Sequence, residues 1–335
     1  MEFLRGKLAA AAAFFVNGLE RRWAERSAGR LVRDLAVLAL FGALAAASAA
    51  GVASARIPVL EVFGSLQGHL VAAAVVAVLG SLIARSKACA SVAAVVLAVN
   101  LGVVGFRVLS ADTCTVQMAA SGQRVVRVMT LNIWGENNDF AAVERVLAQH
   151  HPDILLLEEL RPQHAALLRR LRASYPNQVV CDVHPDCGIG VLSKYRIDPQ
   201  RTISEGPIMA LEVRAMVEDH ELVVFATHMR RPFAGRGQSD QFEALTAEVA
   251  ALPVNSLVAG DFNSALWSAN LSRYVKGAGV CASNLTHATW PEWLGPFGVP
   301  IDHIFLKQGV RLLSIATVSG TGSDHKALLA TVSIL

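Results

Sequence analysis

The sequence is short of charged residues and of cysteine. Its 30 Lys and Arg and 27 Asp and Glu make up 17% of 335 residues, whereas 53% are hydrophobic. Soluble domains usually carry about a quarter charged residues. This composition excludes an intrinsically disordered chain and is not that of an ordinary cytosolic enzyme. Five cysteines and 25 glycines also exclude a disulfide scaffold and a collagen-like chain.

The missing charges leave three windows without any Asp, Glu, Lys or Arg, namely residues 35–55, 62–84 and 88–106. A helix needs about 20 apolar residues to cross a bilayer. Buried helices of a large soluble domain would show polar faces, which these windows lack. We therefore expect three transmembrane helices within residues 35–109, with the lipid bilayer as partner. Nothing in the sequence calls for an obligate protein partner.

Basic residues predict the orientation of these helices. The leader, residues 1–34, carries seven Lys and Arg, and the second loop adds Arg85 and Lys87. Because cytoplasmic loops are rich in Lys and Arg, the N-terminus is expected in the cytoplasm. Three spans then place everything after Leu109 outside. The apolar run at residues 8–16 resembles part of a signal peptide, but it lacks a small-residue cleavage site and is interpreted as an interfacial segment.

Two polar residues, His69 and Asn100, fall inside the predicted spans. Intramembrane polar groups sometimes mark a transport path. Because no carboxylate accompanies them, we interpret them as hydrogen-bonding partners between helices or at an interface. The membrane part is therefore expected to be an anchor.

After a short linker at residues 110–122, residues 123–335 read as one α/β domain. Residues 111–335 hold 19 basic and 22 acidic residues. This balance argues against strong non-specific binding of nucleic acid, which depends on phosphate neutralisation. Apolar runs predict strands at 125–131, 154–157, 188–193, 210–217, 222–227, 256–259, 301–306 and 327–333, and amphipathic patterns predict helices at 140–149, 163–173 and 238–251.

Polar side chains gather where these strands end, and ligand sites of α/β sheets lie at strand ends. They are Asn132, Glu158, Glu159, His228, Asp261, Asn263, Asp324 and His325. Singly, each also fits a turn or a helix start. Together, the carboxylates suit Mg²⁺ or Mn²⁺ rather than zinc, and the imidazoles suit proton transfer. The set therefore fits metal-assisted attack of water on a phosphoryl group.

The motifs around these residues resemble those of the endonuclease/exonuclease/phosphatase superfamily, which includes exonuclease III, deoxyribonuclease I and neutral sphingomyelinases. They are Leu131-Asn132, Glu158-Glu159, Thr227-His228, Gly260-Asp261-Phe262-Asn263, Ile301-Asp302-His303-Ile304 and Ser323-Asp324-His325. The resemblance implies a four-layer sandwich of two mixed β-sheets flanked by helices. Three spans before such a domain resemble a membrane-anchored bacterial subgroup. That resemblance implies a multi-pass protein of the inner membrane with a periplasmic or extracellular domain.

The resemblance also implies a metal site for Mg²⁺ or Mn²⁺. Glu159 would be its principal carboxylate, with Asn132 alongside and Asp324 completing it. The family usually has Gln before this Glu, and here Glu158 replaces it. The replacement adds a negative charge and leaves open which Glu binds the metal.

The other motif residues take catalytic roles by the same resemblance. Asp261 would orient or activate the water, and Asn263 would hold a phosphate oxygen. His325 would act as general base or as transition-state donor, polarised by Asp302. His228 would donate to the phosphate, as in the deoxyribonuclease and sphingomyelinase branches.

The exported cysteines have two interpretations. Cys181 and Cys187, with His184 between them, have a spacing that could hold zinc, although no fourth ligand is near. In an oxidising compartment a Cys181–Cys187 disulfide is favoured, with Cys114–Cys281 as the complementary pair.

Arg230, Arg231 and Arg236 follow His228 closely. They are candidates for a substrate-phosphate clamp or for contact with anionic lipid headgroups. An ordinary solvated loop explains them equally well.

The leading hypothesis is a membrane-anchored, divalent-metal-dependent phosphodiester hydrolase. The alternatives are a phosphatase or phospholipase C-like enzyme acting on lipid headgroups, and a catalytically silent module that binds phosphate ligands. The sequence does not distinguish DNA, RNA, phospholipid or inositol phosphate as substrate, because fold and site are shared by enzymes with different substrates.

Overall fold

The described part of the chain begins with apolar helices. The structure is a computed structural model that describes residues 28–119, 122–181, 187–204, 206–233 and 236–335. Most of the basic leader, including the run at residues 8–16, therefore lies outside the described residues. The N-terminal helices are α1 (Ala28–Ala53), α2 (Glu61–Ser65), α3 (Gln67–Ile83) and α4 (Lys87–Ser110), with a 3₁₀ turn at Pro58–Leu60 before α2.

Two of these helices are long and apolar enough to cross a membrane, over Val32–Ala53 and Lys87–Ser110. A third candidate, Pro58–Ser65 with Gln67–Ile83, is bent by 56°. The sequence predicts one unbroken helix over residues 62–84, and the structure breaks it at Leu66. There the Ser65 carbonyl accepts a hydrogen bond from the Trp267 indole nitrogen at 2.8 Å. This inserted side chain takes the place of the helical hydrogen bond and explains the bend.

The N-terminal helices pack through small side chains and buried polar contacts. Asn100 Nδ2 on α4 donates to Ser48 Oγ on α1 at 2.8 Å, and both residues are buried. Apolar side chains cover the outer surface, among them Leu40, Val76, Ile83 and Phe106. Asn100 thus makes the interhelical contact that the sequence favours over a transport path.

Two six-stranded mixed sheets form the domain that follows. The strands are β1 (Arg124–Asn132), β2 (Ile154–Glu158), β3 (Asn177–Val180), β4 (Gly190–Ser193), β5 (Ile197–Ile203), β6 (Ala210–Val217), β7 (His220–His228), β8 (Ser256–Asp261), β9 (Cys281–Ala282), β10 (Asp302–Leu306), β11 (Val310–Val318) and β12 (Ala327–Ile334). The first sheet has the order β11-β12-β1-β2-β4-β3, and the second β5-β6-β7-β8-β10-β9. Only the pairs β1–β2 and β7–β8 are parallel among these neighbours.

Each sheet carries helices on its outer face. The helices are α5 (Phe140–His150), α6 (Ala165–Leu171), α7 (Arg236–Ala250) and α8 (Ala269–Ala278). The sheets face each other through fully buried aliphatic side chains such as Val128, Leu156 and Val224. Helices α5 and α6 pack on the first sheet, and α7 and α8 on the second. The result is a helix–sheet–sheet–helix sandwich.

The segment expected to be a linker, residues 110–122, is fastened to this domain. Thr113 forms a β-bridge with Ala282, and Cys114 is disulfide-bonded to Cys281. A second disulfide joins Cys181 to Cys187, while His184, the residue of the zinc alternative, lies outside the described residues. The chain that leaves α4 is therefore joined to the edge of the second sheet.

Candidate functional site

Strand register brings the polar strand ends together. Asn132 is paired with Glu158 across β1 and β2, and His228 is paired with Asp261 across β7 and β8. Asp302 at the start of β10 is paired with Asp261 in antiparallel register. Because each pair stands at the same end of its sheet, residues far apart in sequence meet at one edge of the sandwich.

Asp261 lies at the centre of the cluster. Its Oδ1 accepts a hydrogen bond from the Asn263 backbone nitrogen at 2.8 Å, and its Oδ2 accepts from Asn132 Nδ2 at 3.1 Å and Asn263 Nδ2 at 3.2 Å. The Nε2 atoms of His228 and His325 lie 3.6 and 3.9 Å from Oδ2. Burial and the Asp302 carboxylate raise the pKa of Asp261, although the two imidazoles and the Asn263 amide oppose the rise.

A glycine makes this position of Asp261 possible. Gly260 has φ of +145°, and a Cβ atom there would lie 1.8 Å from the Thr227 carbonyl oxygen. Only glycine fits so close to the neighbouring strand. Asn263 follows with φ of +49° and donates its Nδ2 to the Met229 carbonyl oxygen at 2.9 Å. The motif glycine and amide thus fix the turn that carries Asp261.

His325 forms a buried pair with Asp302. Its Nδ1 lies 2.9 Å from Asp302 Oδ2, and both side chains are at least 94% shielded from solvent. Burial alone would lower the pKa of His325. The Asp302 carboxylate, helped by Asp261 and Asp324, outweighs burial and raises that pKa to about 10. His325 is therefore a cation at neutral pH, which fits a donor to phosphate better than a general base.

The two adjacent glutamates point in different directions. Glu158 is completely buried, and its Oε1 accepts a hydrogen bond from Thr130 Oγ1 at 2.7 Å. Burial raises its pKa well above the usual value, which favours the protonated form of Glu158. A neutral glutamic acid has the shape of the Gln that the family usually has there.

Glu159 instead lines the cavity and stays ionised. Its Oε1 accepts from Asn132 Nδ2 at 3.1 Å, and its Oε2 accepts from the Gly135 backbone nitrogen at 2.9 Å. Burial opposes ionisation, but these donors lower the pKa overall. Its φ of +59° is unusual for a residue with a side chain and is typical of functional sites.

The oxygen atoms of Glu159 are suited to binding a divalent cation. Each of its oxygens accepts one hydrogen bond and keeps a lone pair for a cation. Asn132 turns its NH₂ group toward Glu159 and Asp261, since its Oδ1 accepts from the Trp134 backbone nitrogen at 3.0 Å. Asp324 Oδ2 accepts from Trp290 Nε1 at 3.0 Å at the rim of the site.

The described residues contain a second group of possible ligands. One ligand atom each of Asp261, Asp302 and His325 lies within 4.8 Å of the others. In that group His325 Nδ1 is already taken up by the hydrogen bond to Asp302. Its Nε2 carries a proton as well when the ring is a cation. Glu159, which is anionic and lines the cavity, is therefore the better cation ligand.

The basic loop contributes unevenly to the site. Arg231 lines the cavity that holds Glu159, Asp261 and His325. Arg230 is exposed, and its backbone is bound to the helix α7 through Gln241. Arg236 begins α7, and its side chain lies outside the described part of the structure.

The same cavity has a wall that the sequence does not predict. Val62, Ser65 and Leu66, at the bend between α2 and α3, line it opposite the strand ends. Phe233, Trp290 and Val299 complete the apolar lining. Contacts between residues about 200 positions apart leave no trace in local patterns, so only the fold reveals this wall.

Comparison with known proteins agrees with this geometry. The family model described as "Endonuclease/Exonuclease/phosphatase family" matches residues 129–325. Among solved structures, a humanised D. rerio TDP2 superposes with a TM-score of 0.51 at 20% identity, over 62% of this chain and 98% of that one. An endonuclease/exonuclease/phosphatase from Beutenbergia cavernae gives 0.50 at 18% identity, over 63% and 72%. No curated protein is significantly similar in sequence.

Proposed function

Because the chain belongs to the endonuclease/exonuclease/phosphatase family, whose members hydrolyse phosphate esters, we propose that it is a membrane-anchored, divalent-metal-dependent phosphodiesterase. The observation that carries the proposal is the placement of Asp261 between two imidazoles. His228 and His325 flank its Oδ2, and the ionised Glu159 lines the same cavity. This is an arrangement for activating water beside a bound phosphate.

The N-terminal helices form the anchor, with residues 1–34 as cytoplasmic leader and three spans within residues 35–109. The bent pair of α2 and α3 serves as the second span. The end of α4 and the bend at Leu66 both meet the domain, whereas Arg85 and Lys87 lie in the loop at the opposite end. Lys and Arg favour the cytoplasmic side, so the domain of residues 123–335 faces the periplasm or the exterior of a bacterial cell.

Glu159 would hold the Mg²⁺ or Mn²⁺ ion, with Asn132 and Asp324 beside it. When bound, the ion polarises a phosphoryl oxygen and offsets the negative charge that develops on it. Oxygen ligands of this kind suit either ion.

The side chains then carry the hydrolysis. Asp261, with a raised pKa, takes a proton from water as the water oxygen bonds to phosphorus. Protonated His325 donates from Nε2 to a phosphoryl oxygen, and His228 and Asn263 donate to the same group. The opposite P–O ester bond breaks, and the leaving alcohol oxygen takes up a proton from solvent. The products are an alcohol and a phosphate monoester.

A model phosphodiester tests the proposal. Full-length protein in nanodiscs is assayed with bis(p-nitrophenyl) phosphate in Mg²⁺, in Mn²⁺ and in EDTA. We expect turnover with either ion and none in EDTA, and Asp261→Asn lowers the rate by about 10²- to 10⁴-fold because it removes the proton acceptor. Asp198→Asn, an exposed carboxylate paired with Arg196 on β5, is the control and keeps full activity. Metal-independent turnover that survives Asp261→Asn contradicts the proposal, and binding without turnover supports the silent module.

A further inference from the structure

The site cavity is built from two parts of the chain. The strand ends supply Glu159, Asp261 and His325, and the bend between α2 and α3 supplies the facing wall. That wall, defined here as Val62, Ser65 and Leu66, stands at the bend of the third candidate span, Pro58–Ser65 with Gln67–Ile83. The cavity, of about 110 Å³, therefore lies between the strand ends and the end of the N-terminal helices that meets the domain.

Buried polar contacts hold this wall against the domain. Besides the Trp267–Ser65 hydrogen bond, Glu61 Oε1 accepts from the Asn270 backbone nitrogen at 2.7 Å, and Glu61 is 1% exposed. Arg107, in the last turn of α4, donates to the Trp267 carbonyl oxygen at 3.1 Å. Buried donors and acceptors without partners are costly, so these contacts favour one fixed docking of anchor and domain.

Exposed aromatic side chains lie around the same end of the helices. Trp293 and Phe297 are 80% and 74% exposed, and Phe233 and Trp290 at the cavity are 64% and 40% exposed. The Phe297 carbonyl oxygen lies 2.7 Å from His69 Nε2 on α3, so this segment sits beside the start of a candidate span. Aromatic side chains concentrate at the headgroup level of membranes, and large exposed apolar patches mark such contacts. We call these four side chains the aromatic rim.

We propose that the substrate is a phospholipid of the bilayer that holds the anchor, bound by its phosphodiester group in the site cavity. The proposal rests on the proposed function and gives it a substrate class. The headgroup reaches Glu159, Asp261 and His325, while the acyl chains remain beside the wall and the aromatic rim. Arg231, which lines the cavity, faces the lipid phosphate with the opposite charge.

The chemistry is that of the proposed function. A water oxygen bonds to phosphorus and one P–O ester bond of the lipid breaks. The departing alcohol oxygen takes up a proton from solvent. Breaking the bond to glycerol yields diacylglycerol, and breaking the other yields phosphatidic acid. Phosphorus NMR detects either outcome as loss of a phosphodiester signal and gain of a monoester signal.

The test uses full-length protein reconstituted with Mg²⁺ into vesicles of phosphatidylethanolamine and phosphatidylglycerol. Hydrolysis of vesicle lipid is compared with hydrolysis of bis(p-nitrophenyl) phosphate by the same sample. In a Trp293→Ser and Phe297→Ser double variant we expect the ratio of lipid to soluble turnover to fall about tenfold, because the rim loses its apolar contact with lipid. Replacing both residues by Leu restores apolar area and the ratio. Val254→Ser, at an exposed site before the other end of β8, leaves the ratio unchanged.

The possible outcomes distinguish a failure of the lipid proposal from a failure of the proposed function. If bis(p-nitrophenyl) phosphate is hydrolysed and vesicle lipid is not, or if plasmid DNA or RNA is cleaved faster than lipid, the lipid substrate is wrong while the phosphodiesterase stands. An unchanged ratio in the Ser double variant also overturns it. If no phosphodiester is hydrolysed, the proposed function itself fails.

Discussion

His325 Nδ1 and Asp302 Oδ2 lie 2.9 Å apart in a buried pair at the centre of the site. The pair links the start of β10 to the loop before β12, which are 23 residues apart in sequence. Because the carboxylate raises the pKa of His325 to about 10, the imidazole is held as a cation over the neutral range. This pairing determines the pH range in which the His325 ring remains a cation.

Asp302→Asn is expected to shift the alkaline limb of the pH–rate profile. His325 is protonated below its pKa of about 10, so activity that needs the cation falls as pH rises through that value. Without the Asp302 charge the pKa falls, and the limb moves to lower pH by at least about one unit, equivalent to about 1.4 kcal/mol. Profiles of kcat for wild type and variant measure the shift, with Asp198→Asn as control. Coincident alkaline limbs would contradict the role assigned to this pair.

Glu158→Gln and Glu159→Gln form a matched pair at neighbouring positions. Burial favours the protonated form of Glu158, and Gln has the shape of that neutral form, so activity stays within about twofold. Glu159 is the proposed metal ligand, and its replacement is expected to lower activity by at least about a hundredfold, since even indirect metal contacts are worth about 10- to 100-fold. Raising the Mg²⁺ concentration recovers part of the lost rate only for Glu159→Gln. Equal losses in the two variants would show that the assignment is wrong.

His303 makes the folded chain sensitive to acid. Burial lowers its pKa from 6.5 to about 4, so between these values the unfolded chain binds the proton and the folded chain does not. Its contribution to stability is therefore complete above pH 6.5 and is lost as pH falls toward 4, at a cost of at most about 3 kcal/mol. His303→Gln keeps a donor for the Ser264 carbonyl oxygen, which His303 Nε2 contacts at 2.9 Å.

Thermal unfolding measured between pH 6.5 and 4 checks this prediction. Because Gln does not titrate, the Tm of His303→Gln is expected to fall less steeply with acid than that of wild type. His220→Gln, a histidine at the start of β7 remote from the site, keeps the wild-type slope. The same slope in His303→Gln and wild type would refute the assignment.

The disulfides predict the count of free thiols. Of the five cysteines, Cys89 in α4 is the free one within the described chain. Unfolded, unreduced protein should therefore show one reactive thiol, and reduced protein five. Cys281→Ala is expected to cost about 2–5 kcal/mol of stability, whereas Cys89→Ala has little effect. Five thiols before reduction would exclude both disulfides.

Local patterns predict the buried strands and the polar residues at their ends. Continuous apolar runs such as Ile154–Glu158 are recognisable because both faces of the strand are covered. The strand β11 is not predicted because only three of its nine residues are buried. Helix α8 is not predicted either, although its buried Leu271, Tyr274 and Val275 have helical spacing. At β11, tertiary contacts supply what the local signal lacks.

The part of the candidate site that is formed by strand ends can be predicted from the sequence. The part that depends on contacts between distant residues cannot. Asp261 stands at the end of an apolar strand and His325 precedes one, each within a recognisable motif. The sequence does not predict that the side chains of Glu158 and Glu159 point in different directions. That difference comes from the backbone, because φ of Glu159 is positive. Likewise, the bend at Leu66 arises because Trp267 binds the Ser65 carbonyl oxygen.

The Cys114–Cys281 bond joins two points 167 residues apart, just after the last N-terminal helix. A protease that cuts anywhere between them leaves two fragments still linked to each other. Shedding of the domain from the helices thus requires a cut in the few residues between Ser110 and Cys114, where Thr113 is bridged to Ala282. An intact disulfide makes the protein resistant to release by nicking, and a reductant removes that resistance.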